Sequence, residues 1–180
     1  GVDLLSLAGH KLYAPKGVGA LFIRRGLVLT PLIHGGGHER GQRAGTESAL
    51  LAAGLGAACE LATDDPCGER LLSLRERFWT GLHATLGDRV QLNGHPTERL
   101  PNTLSLAFPG HRGDDLLTRL PGIAASTGSA CHTGEPTLSP VLAAMGVPAD
   151  LGLATIRFSL GRDTTEQDVD RAVDEGKGCL

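Results

Sequence analysis

The sequence predicts an α+β chain with helices laid on one face of a largely antiparallel sheet. Three observations lead there. Short apolar or alternating runs recur between turn formers and read as strands. Longer segments with leucines near a helical spacing separate them. Asp64, Asp65 and Pro66 interrupt the helical pattern and mark a domain boundary near Pro66.

In chain order, Val2 to Leu7 is an apolar run suited to a buried strand, and Val18 to Ile23 is a second. The turn formers from Gly9 to Gly17 part them, so the pair reads as neighbouring strands joined by a loop that carries Lys11. His34 to Gly45 is a glycine-rich polar loop. Thr46 follows at a helix N-cap position, before an Ala/Leu-rich helix from Ser48 to Ala62. Glu69 to Leu86 is a long amphipathic helix. Beyond it the sequence alternates. Short strands are expected at Val90 to Leu92, Thr103 to Phe108, Ile123 to Ser126 and Thr155 to Leu160. Helices are expected at Asp114 to Leu120, Pro140 to Met145, and from a cap at Thr164 or Thr165 through Val173.

Bulk composition narrows the classes. The 180 residues are 41% hydrophobic, enough to bury a core. With 21% charged residues, a net charge of -3 and 3% aromatics, the chain lacks the basic, aromatic surface of a nucleic-acid binder and the composition of a disordered one. No apolar run is long enough to cross a membrane. The cysteines, Cys59, Cys67, Cys131 and Cys179, form no CxxC pair, which fits a reducing, cytoplasmic setting. Gly1 opens straight into an apolar stretch without an initiator Met, and residues 174 to 180 drop the apolar spacing before them. The chain is therefore expected to be a fragment.

Four constellations carry chemistry. His10-Lys11 sits among glycines between two strands. A lysine turned into a cavity there loses hydration, loses basicity and becomes a nucleophile toward carbonyls. Taken alone, the same loop reads more readily as a solvated surface lysine, because most lysines are exposed. From His34 to Thr46 the chain offers bare backbone amides, Arg40, Arg43 and a hydroxyl at a helix start, the parts of a phosphate site. No GK[ST] follows, so it is not a Walker loop. His34 and His38 lack a third ligand at metal spacing, and no metal is expected. Cys131 stands among small polar residues, in Ser126-Thr-Gly-Ser-Ala-Cys131-His132, where a thiol stays accessible and His132 or a helix end can lower its pKa. Cys59, in an Ala/Leu helix, reads instead as core. Arg157 interrupts an apolar strand and needs an anion. A ligand carboxylate and an internal Asp or Glu serve equally.

The order of these motifs is more specific than any of them. GHKLYAPKGVGALFIRR, GGGHERGQRAGTES, ASTGSACHTGEPTLSPVLAAMG and IRFSLGRDTTEQDVD together resemble cysteine desulfurases of the NifS/IscS type, in the class V aminotransferase family of fold-type I pyridoxal-phosphate enzymes. The similarity runs from about Val2 to Val173. It implies an α/β fold comprising the C-terminal part of such an enzyme. Residues 1–66 would be the remnant of the large cofactor-binding α/β domain, and residues 67–180 the small C-terminal α+β domain.

The resemblance also implies roles. Lys11 matches the lysine that anchors pyridoxal 5'-phosphate and later shuttles protons. His10 matches a phosphate-loop residue. Thr46 matches a threonine that reaches the cofactor phosphate of the neighbouring subunit, which implies a homodimer. Cys131 matches the nucleophile that takes sulfur from L-cysteine as a persulfide, releasing L-alanine. Arg157 matches the arginine that holds the substrate carboxylate. The sulfur would pass to an acceptor or scaffold protein for Fe–S cluster or thio-cofactor assembly. Ala8 replaces a phosphate-binding serine of IscS-type members. The stretch after Cys131, together with Gly45-Thr46-Glu47, is also similar to selenocysteine lyases, so L-selenocysteine stays open as substrate. A non-catalytic sulfur-carrier scaffold that keeps a reactive Cys131 is the other alternative. Family members supply a pyridine-nitrogen aspartate and a ring-stacking histidine from a preceding segment, so residues 1–180 alone are expected to bind the cofactor weakly.

Overall fold

The computed structural model describes residues 1–64, 67–128 and 137–179. The chain divides into two compact units, Gly1–Pro66 and Cys67–Leu180.

In the first unit, the two apolar runs form strands β1 (Leu4–Ala8) and β2 (Gly19–Ile23). They pair antiparallel, with Leu4 opposite Ile23 and Ala8 opposite Gly19. Their connection opens with a 3-10 turn at Gly9–Lys11. The buried Gly9 organises it. Its N–H donates to the Val18 carbonyl (2.9 Å), and its own carbonyl accepts from the amides of Leu12 (2.9 Å) and Ala14 (3.0 Å). A Cβ on Gly9 would fall 2.8 Å from the Val18 carbonyl oxygen, so only glycine lets the loop close here. Leu5 and Phe22 are 50% and 53% exposed, against the expectation of a buried strand. A continuous apolar run suits a strand covered on both faces, and among the described residues of this unit the two-stranded sheet has no such layers.

Helix α1 spans Ala49–Asp64. Its N-cap is Ser48 rather than Thr46. The Leu51 N–H donates to Ser48 Oγ (3.4 Å), and the Ser48 carbonyl accepts from the Ala52 amide (2.9 Å). The first helical hydrogen bond therefore starts two residues after the predicted position. Cys59 is half-buried, not fully core.

The second unit holds α2 (Gly68–Leu86), β3 (Gln91–Leu92), β4 (Thr103–Ala107), α3 (Gly113–Thr118), α4 (Pro140–Ala144), α5 (Ala149–Leu153), β5 (Thr155–Ser159) and α6 (Glu166–Cys179). The strands form an antiparallel sheet in the order β3-β4-β5. Alternation in β4 and β5 sends Leu104, Leu106, Ile156 and Phe158 to one face, where they pack with Leu82 of α2 and Val173 of α6. Phe78 meets Phe158 edge to face, ring centroids 5.1 Å apart. Each such buried side chain contributes about 1.5–3 kcal/mol of hydrophobic stabilisation. Arg75 is buried too, donating to the Leu100 carbonyl (2.7 Å) and pairing with Glu76.

Three differences from the sequence expectations stand out in this unit. Ile123 to Ser126 is not a strand. Ser126 alone forms a bridge, with Arg157. A turn from Leu120 to Ile123 occupies the chain before it, and Gly128 folds back onto the Ser126 hydroxyl directly after. Helix α5 was not anticipated, being too short to show a helical period. Helix α6 continues to Cys179, past the loss of apolar spacing at Asp174, with Lys177 bonded to Asp174 (2.8 Å) and Cys179 Sγ to the Arg119 carbonyl (3.0 Å). No helix among the described residues is long and apolar enough to cross a membrane.

Candidate active site

Lys11 and His10 lie at the end of β1, in the turn that Gly9 clamps. Both are exposed, and neither engages a hydrogen bond or ion pair among the described residues. The far half of the same loop is braced by α1, with Pro15 against Gly54 and Gly17 against Leu51. A sheet holds one end of the Lys11 loop and a helix the other.

The glycine-rich loop is constrained. It makes a 3-10 turn at Glu39–Gly41. Glu39 (φ 49°) and Arg40 (φ 57°) both adopt the left-handed region, which costs of order 1 kcal/mol or more per non-glycine residue. The turn is tied down by the Gly41 amide, which donates to the His38 carbonyl (2.9 Å), and by the Glu39 amide, which donates to the Glu47 carboxylate (3.3 Å). Backbone hydrogen bonds at Glu47 and from Glu39 hold the Glu47 carboxyl below the usual carboxylate range. His38 Nδ1 is buried with no hydrogen-bond partner among the described residues. Thr46 sits between this loop and the Ser48 cap, exposed, its hydroxyl unengaged among the described residues. No group of three or more His, Cys, Asp or Glu among the described residues could hold a metal ion.

In the second unit, Arg157 lies at the centre of β5. Ile156 and Phe158 point to the core, so Arg157 points to the opposite face, where it is exposed. Its guanidinium has no hydrogen bond or ion pair among the described residues, so the internal Asp or Glu that could have explained it is not found there. Its backbone exchanges two hydrogen bonds with Ser126, at 2.7 and 3.2 Å. The Ser126 hydroxyl then donates to the Gly128 carbonyl (2.6 Å). Cys131, three positions further on, lies outside the described residues.

Sequence reasoning missed the polar row beside Arg157. Asn93, Ser105, Arg157 and Ser126 follow one another across the sheet, linked by the amide of Asn93 to the Ser105 carbonyl, by register and by the Ser126 bridge. The alternation in Thr103 to Phe108 placed Ser105 on a polar face, but only the register puts it opposite Arg157.

The free groups of the first unit suit a phosphorylated aldehyde. An uncommitted amine condenses with a carbonyl, and an uncommitted imidazole and hydroxyl donate to phosphate oxygens. Residues 1–172 match the family model described as aminotransferase class-V. The chain belongs to the aminotransferase class-V family. Among its class-V relatives, a cysteine desulfurase of Gluconacetobacter diazotrophicus is 47% identical over 183 residues, covering 99% of this chain and 46% of that protein. A cysteine desulfurase IscS of Methanosarcina thermophila is 47% identical over 177 residues, covering 96% of this chain and 43% of that protein. A solved NifS-like protein superposes with a TM-score of 0.86 at 35% identity, over 98% of this chain and 46% of that one. This class-V chain thus spans about half the length of the relatives it matches, and it has the mixed helix and sheet fold of the corresponding part of NifS-like chains.

Proposed function

We propose that this chain is part of a pyridoxal-phosphate-dependent cysteine desulfurase that converts L-cysteine to L-alanine and holds the sulfur as a persulfide on Cys131. The observation that carries the proposal is the Ser126–Arg157 bridge. A guanidinium without a partner among the described residues stands beside the first residue of the segment that leads to Cys131. A carboxylate anchor and a thiol acceptor are what the reaction needs close together. The resemblance to the cysteine desulfurases supports the same assignment.

Lys11 would hold the cofactor through its Nζ, with the His10 ring donating to its phosphate, and the Thr46 hydroxyl would donate to the phosphate of the neighbouring subunit's cofactor. Bound there, the cofactor supplies an electron sink for the carbon bearing the substrate amine. Arg157 takes the substrate carboxylate with its two-pronged fork and fixes the orientation of the thiol. The Cys131 thiolate attacks the substrate sulfur. A sulfur–sulfur bond forms as the carbon–sulfur bond breaks, and a proton takes up the electron pair left on carbon. Lys11 Nζ would carry protons to and from the substrate carbon. Alanine leaves, and the persulfide passes to an acceptor or scaffold protein for Fe–S cluster or thio-cofactor assembly.

In this proposal residues 1–66 are the end of the large cofactor-binding domain and residues 67–180 the small domain. The protein works as a homodimer, with Thr46 serving the neighbouring subunit's cofactor. The cysteine spacing, without a CxxC pair or a disulfide-framework pattern, supports a cytoplasmic location. The test follows alanine release and persulfide on Cys131 by mass spectrometry, using the protein from its complete reading frame and L-cysteine. Cys131→Ser should lose the persulfide and nearly all alanine release. Undiminished alanine release in that variant would refute the role of Cys131, and turnover confined to L-selenocysteine would refute the substrate.

A further inference from the structure

The pairing around Arg157 singles out Ser105. In an antiparallel ladder the N–H and C=O of one residue point to the same side of its strand. Arg157 directs both at Ser126: its N–H donates to the Ser126 carbonyl (2.7 Å), and its carbonyl accepts the Ser126 N–H (3.2 Å). Ser105 turns the other way, its carbonyl accepting the Asn93 N–H (2.9 Å). Yet Ser105 and Arg157 are partners in register. They are therefore a non-hydrogen-bonded pair, the closer kind, with Cα atoms about 4.5 Å apart and side chains leaving the same face. That face is the one opposite Leu104, Leu106, Ile156 and Phe158.

The Ser105 hydroxyl is half committed. Its oxygen accepts a hydrogen bond from Asn93 Nδ2 (3.3 Å). The same nitrogen donates to Thr155 Oγ1 (3.0 Å), whose hydroxyl donates to the Leu151 carbonyl (2.8 Å). No acceptor for the Ser105 hydroxyl proton exists among the described residues. A serine hydroxyl offers one donor, and a carboxylate bound by a guanidinium fork keeps lone pairs to spare.

We propose that Ser105 donates a third hydrogen bond to the carboxylate held by Arg157, with Asn93 as the positioning residue that fixes the Ser105 oxygen. The pair selects a carboxylate over a carboxamide, whose NH2 would face donors. This rests on Arg157 being the carboxylate anchor.

The test is calorimetric titration of the complete protein with 3-mercaptopropionate, which carries thiol and carboxylate but no amine to condense with a cofactor aldehyde. Its amide, 3-mercaptopropionamide, is the control. Ser105→Ala should weaken the acid about tenfold, the scale of a hydrogen bond to a charged group, and leave the amide within twofold. Ser105→Thr, which keeps the hydroxyl, should restore most of the affinity. Asn93→Ala should lower the acid-to-amide preference by a smaller factor. If Arg157→Lys weakens the acid strongly while Ser105→Ala stays within twofold of the parent, the role of Ser105 is overturned and the anchor stands. If Arg157→Lys has no effect, the anchor itself fails.

Discussion

Gly113 couples the fold to the candidate site, and Gly113→Ala tests that coupling. Gly113 is the buried first residue of α3. A Cβ there would lie 2.8 Å from the Thr155 carbonyl oxygen and 3.0 Å from Thr127 Cγ2. Both distances are below ordinary van der Waals contact. The first atom is backbone of β5, two residues before Arg157, and can retreat only by shifting the strand. The second is a methyl group next to Ser126 and can be displaced. Overpacking of this kind costs about 1–3 kcal/mol. Gly113 has no positive φ, so alanine returns about 0.4–1 kcal/mol by narrowing the unfolded ensemble. The net expectation is a loss of about 1–2 kcal/mol, or roughly 2–8 °C in Tm for a chain of this size. Thr127 would move first and take the Ser126–Arg157 bridge with it, so affinity for 3-mercaptopropionate should fall as well. Thermal unfolding by circular dichroism and calorimetric titration read the two effects. Thr127→Ser, which removes the crowded methyl, should recover part of the loss when combined with Gly113→Ala, giving a measurable coupling between the sites. An unchanged or higher Tm with unchanged affinity would refute the close packing at residue 113.

Thr165 caps α6, its hydroxyl accepting the Asp168 amide (3.2 Å), and the Asp168 carboxylate closes the cap by accepting from the Thr165 hydroxyl (2.7 Å) and amide (3.0 Å), bonds that hold its carboxyl below the usual range. Asp170 is held down likewise by its hydrogen bond from Arg77. A carboxyl depressed in the folded state stabilises fully above its unfolded pKa and stops doing so as pH falls through the folded value. The Tm should therefore drop as pH falls through and below the usual carboxylate range, and Asp168→Asn should flatten that drop; an equally steep profile in the variant would count against the cap. Arg75→Met strips the Leu100 carbonyl and Glu76 of their donor and should cost about 2–4 kcal/mol in urea denaturation. A cost under about 0.5 kcal/mol, the range of an unremarkable surface change, would show those bonds contribute little. Ser48→Ala removes the cap of α1 and should lower stability by about 0.5–1 kcal/mol, whereas Thr46→Ala should leave stability unchanged.

Local periodicity carried much of this structure. The hairpin of β1 and β2 and the Lys11 loop between them follow from short apolar runs bounded by turn formers, and the long α2 from its helical spacing, although the hairpin's runs are exposed rather than buried. Arg157 was visible as a charge out of phase with Ile156 and Phe158, and the strand's alternation alone sends it away from the core. What escaped depended on long-range partners. Thr46 and Ser48 are both acceptable caps, and only the carbonyl that starts the helical ladder decides between them. Ser126 pairs for a single residue because the neighbouring turns use up the rest, leaving no periodic trace. Helix α6 outlasts its apolar spacing because its last turn is held by Lys177–Asp174 and by Cys179 on the Arg119 carbonyl. The Ser105–Arg157 pair is a matter of register between strands about fifty residues apart, which sequence spacing cannot set.

Trapping at Lys11 is the most direct measurement. The complete protein is mixed with pyridoxal phosphate, reduced with sodium borohydride, digested and mapped by mass spectrometry. If the exposed amine of Lys11, carried on the Gly9 turn, is the anchor, one stoichiometric pyridoxyl adduct appears on the peptide containing Lys11, and Lys11→Ala abolishes it. An adduct at Lys16, at Lys177 or scattered over surface lysines, with Lys11 unlabelled, would contradict the proposed chemistry.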